Sequence, residues 1–499
     1  MKILRLVGSL ASIASFAALL AACSGSGSPS DIGSSTDSSM SIVAGTDNQT
    51  AVAGAAVPLA PGVKLVDSKG APLSGIAVKF AVATGGGTIQ SASVNTDSTG
   101  VASAGKWTLG ASGGTQTLTA TSGSLPVVTF KATATLTGAP TVTRQVVVTG
   151  LTNPWDLAFT PDGTMFYTQR GSGLYVRRTD GTTALLFKPA DMVVQDQSGM
   201  LGVAVDPDWA NNRQVYVMMS STLGGASTAN RVLRLVVNTT LTAIVTRTDI
   251  VTGLAYAGGH HSGGRVRFGP DGLLYITTGD NATGTIPQSP TILGGKVLRV
   301  DRDGVAALGN NPPAGFDARV FTYGHRNPQG LASRVLADGT TRMYSCEHGP
   351  SYSDEVTPLS AGGNGGWDPR PTSAGLCPDG TTNSYCGYNG TPMTDSKVYP
   401  GALQPAWSTG TVSKGMSGCG VVTGTVWRDW NNALIVATLS GQELEILTFD
   451  AAGTTASAIK FPNLPTARYR VALQGPDGNL YILTDGMSGG DEIWRLVPS

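Results

Sequence analysis

The chain has 499 residues, a formal net charge of zero and only 13% Asp, Glu, Lys and Arg. No Lys/Arg run follows the first few residues, so the electrostatic footprint of a nucleic-acid binder, or of a protein held to an anionic membrane surface, is missing. Abundant Gly, plentiful Thr and Val and scarce helical periodicity predict an all-β chain of short strands joined by tight turns.

Residues 1–22 read as a lipoprotein signal peptide. Lys2 and Arg5 precede an apolar stretch from Leu6 to Leu20, shorter than the ~20 residues a membrane-spanning helix needs. The segment Leu20-Ala21-Ala22-Cys23 resembles a bacterial lipobox, which implies cleavage before Cys23 and a lipid on its thiol. Ser24, where Asp would signal retention, favours the outer membrane, so the expected protein is exported, lipid-anchored and facing the periplasm or the cell exterior. In such an oxidising compartment Cys346, Cys377, Cys386 and Cys419 read as disulfides. Cys377 with Cys386 across a short loop leaves Cys346 with Cys419, while the sequence leaves the other pairings open. Residues 23–40 are almost all Ser, Gly, Asp and Thr, a composition of flexible tethers. From 41 to 138, alternating runs such as Ile76-Ala77-Val78-Lys79-Phe80-Ala81-Val82 sit between turn signals such as Asp67-Ser68-Lys69-Gly70 and Asp97-Ser98-Thr99-Gly100. That spacing predicts a β-sandwich, and Thr96–Ala102 followed by Trp107-Thr108-Leu109-Gly110 resembles bacterial immunoglobulin-like domains. With no His, Cys or carboxylate cluster, this domain is expected to act as a spacer or docking element.

The segment 143–499 repeats a strand, a Pro-Asp-Gly turn and a second strand at residues 161–163, 270–272 and 476–478. Pro fixes φ early in the turn and Gly accepts positive φ after it, so these are hairpins, and their recurrence predicts a β-propeller of about six blades. With Pro270 and Asp271 as the turn, an antiparallel register brings His261 opposite Asp280 to within one residue. A carboxylate beside an imidazole fixes the tautomer and raises the basicity, the arrangement of an oriented general base. All four histidines, His260, His261, His325 and His348, fall in this central part of the chain. Arg468 and Arg470 are two apart and project from one face of a strand, with Tyr469 on the other. Two guanidiniums on one face suit anionic oxygens, and Arg326 adds a third within the loop Gly324–Gly330.

His261-Ser262-Gly263-Gly264-Arg265, Gly295–Asp301, Gly324–Gly330, Glu347-His348-Gly349-Pro350 with Asp354-Glu355, and Arg468-Tyr469-Arg470 stand in the order seen in soluble quinoprotein glucose dehydrogenases and related aldose sugar dehydrogenases. Asn153–Phe159 is similar to that family's opening strand. The resemblance implies a six-bladed propeller that binds pyrroloquinoline quinone (PQQ) and Ca²⁺ and oxidises aldoses at the anomeric carbon to lactones. It makes His261 the general base and Asp280 its orienting carboxylate. Gln197, Arg326, Asn327, Arg468 and Arg470 become cofactor-binding residues, and Gly349 and Pro350 donate carbonyls to Ca²⁺. Asp354 and Glu355 become candidates for a second, structural Ca²⁺, with His325 and His348 as loop braces and the Cys346–Cys419 pair as a staple on the Glu347–Pro350 loop. The partners implied are a sugar and an electron acceptor, a cytochrome or a quinone. The chain departs from the family pattern at Ser440, where glucose-specific members carry a lysine, and at Gly366, where Tyr is usual. A non-catalytic carbohydrate- or protein-binding propeller and a Ca²⁺-dependent lactonase are the other classes considered; the second needs a carboxylate-lined metal site, whereas this constellation is rich in arginine.

Overall fold

The structure is a computed structural model that describes residues 38–222, 227–369, 392–486 and 489–499. Cys23, Cys377 and Cys386 therefore lie outside the described residues. The described chain is almost entirely strand and turn, and it divides into two compact units between Thr135 and Leu136. None of its helices is long and apolar enough to cross a membrane.

In the first unit a three-stranded sheet (Ser39–Ile42, Gly62–Val66, Val101–Ser103) and a five-stranded sheet share one apolar core of Leu65, Phe80, Trp107, Leu118 and Phe130. Strand Ala77–Thr84 shows why: Val78 and Phe80 are buried while Lys79 and Ala81 are exposed, the period of two that puts one face of a sheet on a core. Two turns use the same chemistry. Asp67 Oδ1 accepts the amides of Lys69 (2.9 Å) and Ala71 (2.8 Å), and Asp97 Oδ1 accepts those of Thr99 (2.8 Å) and Val101 (3.0 Å).

The second unit contains, among the described residues, six sheets of four or five strands. Their inner strands are Pro154–Phe159, Met200–Val205, Val266–Phe268, Pro328–Val335, Met416–Val422 and Tyr469–Gln474. Each touches the next, and the last touches the first, so the sheets form a closed cycle. Val142–Leu151 pairs antiparallel with Asp491–Pro498, so one sheet holds both ends of the unit and closes the cycle by hydrogen bonds. The Cys346–Cys419 disulfide joins strand Thr341–Glu347 to the inner strand of the next sheet.

The three Pro-Asp-Gly hairpins share one geometry. The residues before Pro, Thr160, Gly269 and Gly475, donate their amides to the carbonyls of Thr164, Leu273 and Asn479, and the turn glycines Gly163, Gly272 and Gly478 have φ of 89°, 73° and 78°. In the central hairpin Val266 pairs with Ile276, a register one residue out from that expected, because the turn closes on Gly269 and Leu273. The ladder runs only from Val266 to Phe268, and the chain ahead of it bends away from strand geometry.

Candidate active site

Because first and second strands of each sheet run antiparallel, the N-terminal ends of the inner strands and the C-terminal ends of their neighbours meet at one mouth of the cycle. Trp155, Ser262, Gly263, Gln329 and Arg470 come from the first set and Arg170, His348, Leu439 and Asp485 from the second; with Asp196, Gln197 and Arg468 they line a cleft of about 220 Å³.

His261 stands behind Ser262 and Gly263, with its backbone in the left-handed region (φ 41°). Its Nδ1 lies 2.7 Å from Asp280 Oδ1 and its Nε2 lies 3.1 Å from Arg326 Nη2. A guanidinium only donates, so Nε2 is the acceptor and Nδ1 carries the proton that goes to Asp280. The ring is thus a neutral imidazole with its lone pair on Nε2. Burial and the Arg326 charge hold its pKa below the usual histidine value, outweighing the pull of Asp280. Asp280 is fully buried and is itself held by the Ala282 amide (2.9 Å) and the Trp367 indole (2.8 Å). Gly295 ties this corner to the Arg326 loop, donating to the Gly279 carbonyl at 2.8 Å and accepting from His325 N at 3.1 Å. Beside it Lys296, wholly buried, donates to the carbonyls of Ile286 (3.0 Å), Pro287 (2.9 Å) and Gly294 (2.7 Å), and burial pushes its ammonium down to about 7.

Arg468 and Arg470 project into the cleft from one face, while Tyr469 packs edge-on against Trp494. Both converge on Asp485: Arg468 Nε donates to its carbonyl at 3.0 Å and Arg470 Nε to its carboxylate at 2.9 Å. Arg470 Nη1 also reaches Gln329 Oε1 at 2.9 Å. Arg170, which the sequence reading missed, is a third guanidinium on the same wall. Burial and then Arg470 lower its pKa, and burial lowers that of Arg468. Burial raises Asp485, yet Arg470, Arg170 and Arg468 outweigh it and hold the carboxyl below its ordinary value. Three cations against the buried Asp485 and the half-exposed Asp196 leave the wall positive. Ser262 Oγ, His348 Nδ1 and Asp485 Oδ1 are buried on this cleft with no hydrogen-bond partner among the described residues. Unpaired buried polar atoms cost about 1–3 kcal/mol each, so their gathering at one cavity fits a polar ligand.

Other expected residues stand differently. Arg326 and Asn327 are buried behind the cleft: Arg326 Nη1 donates to the His348 carbonyl at 2.8 Å, and Asn327 Oδ1 accepts from Gly263 N at 3.1 Å. His325 braces its loop as expected, bridging Thr322 Oγ1 (2.8 Å) and Glu347 Oε2 (2.9 Å). His348 does not; it lines the cleft, and burial with the charges of Arg326 and other neighbours pushes it down to about 3. Asp354, a candidate Ca²⁺ ligand, accepts from Gly349 N (2.8 Å), Ser413 Oγ (2.7 Å), Lys414 N (2.7 Å) and Met416 N (3.1 Å). It anchors the Gly349–Pro350 corner, where a Cβ on Gly349 would come within 2.3 Å of the Tyr352 carbonyl. Glu355 accepts from Thr394 Oγ1 at 3.0 Å, and burial with Glu347 and Asp354 nearby pushes it up to about 8. Among the described residues no group of three or more His, Cys, Asp or Glu is placed to hold a metal.

Arg170 and Asp485 each lie seven positions after a Pro-Asp-Gly glycine and Asp280 lies eight after, so aligning the repeats would have exposed both residues. Trp367 and Gln329 carry no such signal.

Residues 151–495 match the family described as Glucose / Sorbosone dehydrogenase. Quinoprotein glucose dehydrogenase B of Acinetobacter calcoaceticus is 27% identical over 417 residues, 68% of this chain and 85% of the relative. Aldose sugar dehydrogenase YliI of Escherichia coli is 30% identical over 368 residues, 72% of this chain and 93% of the relative. Among solved structures, the PQQ-bound aldose sugar dehydrogenase of Streptomyces coelicolor aligns with 72% of this chain and all of its own, at 26% identity and a TM-score of 0.57.

Proposed function

The chain belongs to the glucose/sorbosone dehydrogenase family, and we propose that it oxidises aldose sugars at the anomeric carbon to lactones, with PQQ and Ca²⁺ as cofactors. The observation that carries this reading is the arginine wall with its unpaired buried polar atoms, beside an imidazole poised as a base. Arg468 and Arg470 would grip the carboxylates of the cofactor, with Gln197 at the edge of the cleft. The carbonyls of Gly349 and Pro350 would hold Ca²⁺, a hard cation that takes oxygen ligands. When bound, the quinone supplies a two-electron acceptor and Ca²⁺ a Lewis acid.

His261 Nε2 takes the proton of the anomeric hydroxyl as the hydride leaves the same carbon, so the sugar loses two electrons and two hydrogens and becomes the lactone. Asp280 holds the ring and stabilises the imidazolium that forms, and the Trp367 indole and the Ala282 amide fix the Asp280 carboxylate in place. Arg326, with Asn327 behind the cleft, holds Nε2 in its acceptor state until the sugar hydroxyl replaces that contact.

The six sheets read as the blades of a six-bladed propeller, and the first unit as an immunoglobulin-like spacer. The chain is read as exported and anchored through Cys23, passing electrons to a cytochrome or a quinone; loss of lipid incorporation in Cys23→Ala tests the anchor. The reaction is tested by adding PQQ and Ca²⁺ to the purified, metal-stripped chain and following dye reduction with a panel of aldoses. Sugar-dependent reduction that needs both additions and disappears in His261→Ala is expected. A wild-type protein that does not bind PQQ overturns the reading.

A further inference from the structure

Two loops meet at the rim of the cleft, one carrying Gln197 and the other leading into His261. The turn Gln195–Ser198 is closed on itself, with Ser198 N donating to the Gln195 carbonyl at 2.9 Å and Ser198 Oγ accepting from Gln195 N at 2.9 Å. Inside it Asp196 has φ of 48°, the left-handed region that Asp and Asn tolerate better than most side chains. Asp196 is held from both sides: its carbonyl accepts from Arg170 Nη1, and its Oδ2 lies 2.7 Å from His260 Nδ1. Tyr256 adds a parallel bond, its hydroxyl donating to Gln195 Oε1 at 3.1 Å. The loops touch closely, since a Cβ on Gly259 would lie 2.2 Å from the Gln195 carbonyl. Arg170 joins the arrangement to the cation wall, because its own carbonyl accepts Met200 N at 3.0 Å, just beyond the turn.

We propose that Asp196 is a positioning residue: clamped between Arg170 and His260, it sets the Gln197 turn against the loop that carries the base, and so fixes the spacing between the cofactor side of the cleft and His261. Its functional part rests on the proposed sugar dehydrogenase reading; the clamp itself does not. The Asp196–His260 pair is about half exposed, 43% and 58%, and such pairs contribute little to global stability, so its removal leaves the fold intact. Its effect is on geometry, and a small misplacement of reacting groups lowers turnover more than it lowers binding.

Four variants separate the parts. Asp196→Gly keeps the backbone freedom and loses the acceptor; His260→Phe loses the donor; Asp196→Ala loses the acceptor and strains the turn; Asp196→Asn keeps an oxygen for His260 and tolerates the same φ. Hydrogen exchange on the cofactor-free full chain reads the clamp directly. Exchange of the 195–199 amides is expected to rise about tenfold in the Gly, Phe and Ala variants and to stay at wild-type rates in Asn. With cofactor and sugar, kcat is expected to fall about tenfold in the same three variants, with sugar KM and PQQ Kd within about threefold of wild type and Asn restoring kcat. Unchanged exchange in Asp196→Gly and His260→Phe overturns the clamp. Faster exchange with unchanged kcat, or failure of Asn to rescue, overturns its positioning role. A wild-type chain that fails to bind PQQ sinks the dehydrogenase reading while the exchange result still decides the clamp.

Discussion

At their N-terminal ends the inner strands present Trp155, Gln329 and Arg470 to a cleft of about 220 Å³, whereas at their C-terminal ends Phe159, Val205, Phe268 and Leu473 line a recess of about 400 Å³. Both mouths are built from the same strands, and both contain arginine. At the far mouth Arg267 makes a two-point contact, at 2.8 and 2.7 Å, with the buried Asp156 carboxylate, which also pairs with the fully buried Arg265. At the cleft Arg170, Arg468 and Arg470 face the carboxylates of Asp485 and Asp196, and the excess cation stands beside polar atoms without partners among the described residues. The difference teaches that the fold supplies the position, and that several cations facing one open cleft beside unpaired polar atoms supply the site.

The comparison breaks hardest at His261, the proposed base. His261→Ala is expected to lower kcat by about 10²–10⁴, the range for loss of a positioned general base, with the folded state kept. Phe268→Ala at the far mouth should leave steady-state kinetics within about twofold and lower stability by about 1–2 kcal/mol, read from a urea midpoint. Arg470→Ala removes charge-assisted hydrogen bonds and strands the buried Asp485, so titration of PQQ into the apo protein should show a Kd raised about 100-fold, with about 3 kcal/mol lost in stability. Arg468→Ala should raise the Kd about tenfold, because Arg468 meets Asp485 only through a carbonyl. Replacing Cys346 and Cys419 together by Ala should lower stability by about 2–4 kcal/mol in denaturant.

The smallest effect sharpens the electrostatics. His261 must be neutral to accept a proton, and burial and Arg326 depress its pKa, so kcat/KM should hold as pH falls past 6.5 and drop only below that value. Arg326→Gln removes a cation that opposes imidazolium, so the acidic limb should move to higher pH. Asp280→Asn removes an anion that favours it, so the limb should move lower. A limb unmoved by either change would mean that another group sets the profile.

Much of this was legible before the fold was seen. The Pro-Asp-Gly hairpins, the alternation of Ala77–Thr84, the shared face of Arg468 and Arg470 and the meeting of His261 with Asp280 all follow from contacts along one strand or across one turn. What escaped came from elsewhere in the cycle. Trp367 reaches Asp280 across 87 residues of chain, and Arg470 reaches Gln329 across 141. Asp354 was a candidate metal ligand through the family resemblance, and its four donors, gathered from Gly349 and from the segment Ser413–Met416, became visible only in the fold.

The sequence by itself determined the all-β character, the hairpins and the pairing of His261 with a carboxylate, because strand periodicity and turn chemistry act over a few residues. The tertiary structure alone decided which arginines share a cleft, which carboxylates are already satisfied and which polar atoms are left unpaired. Burial and electrostatic fields sum over every element that packs at a point, and no local pattern in the chain records that sum.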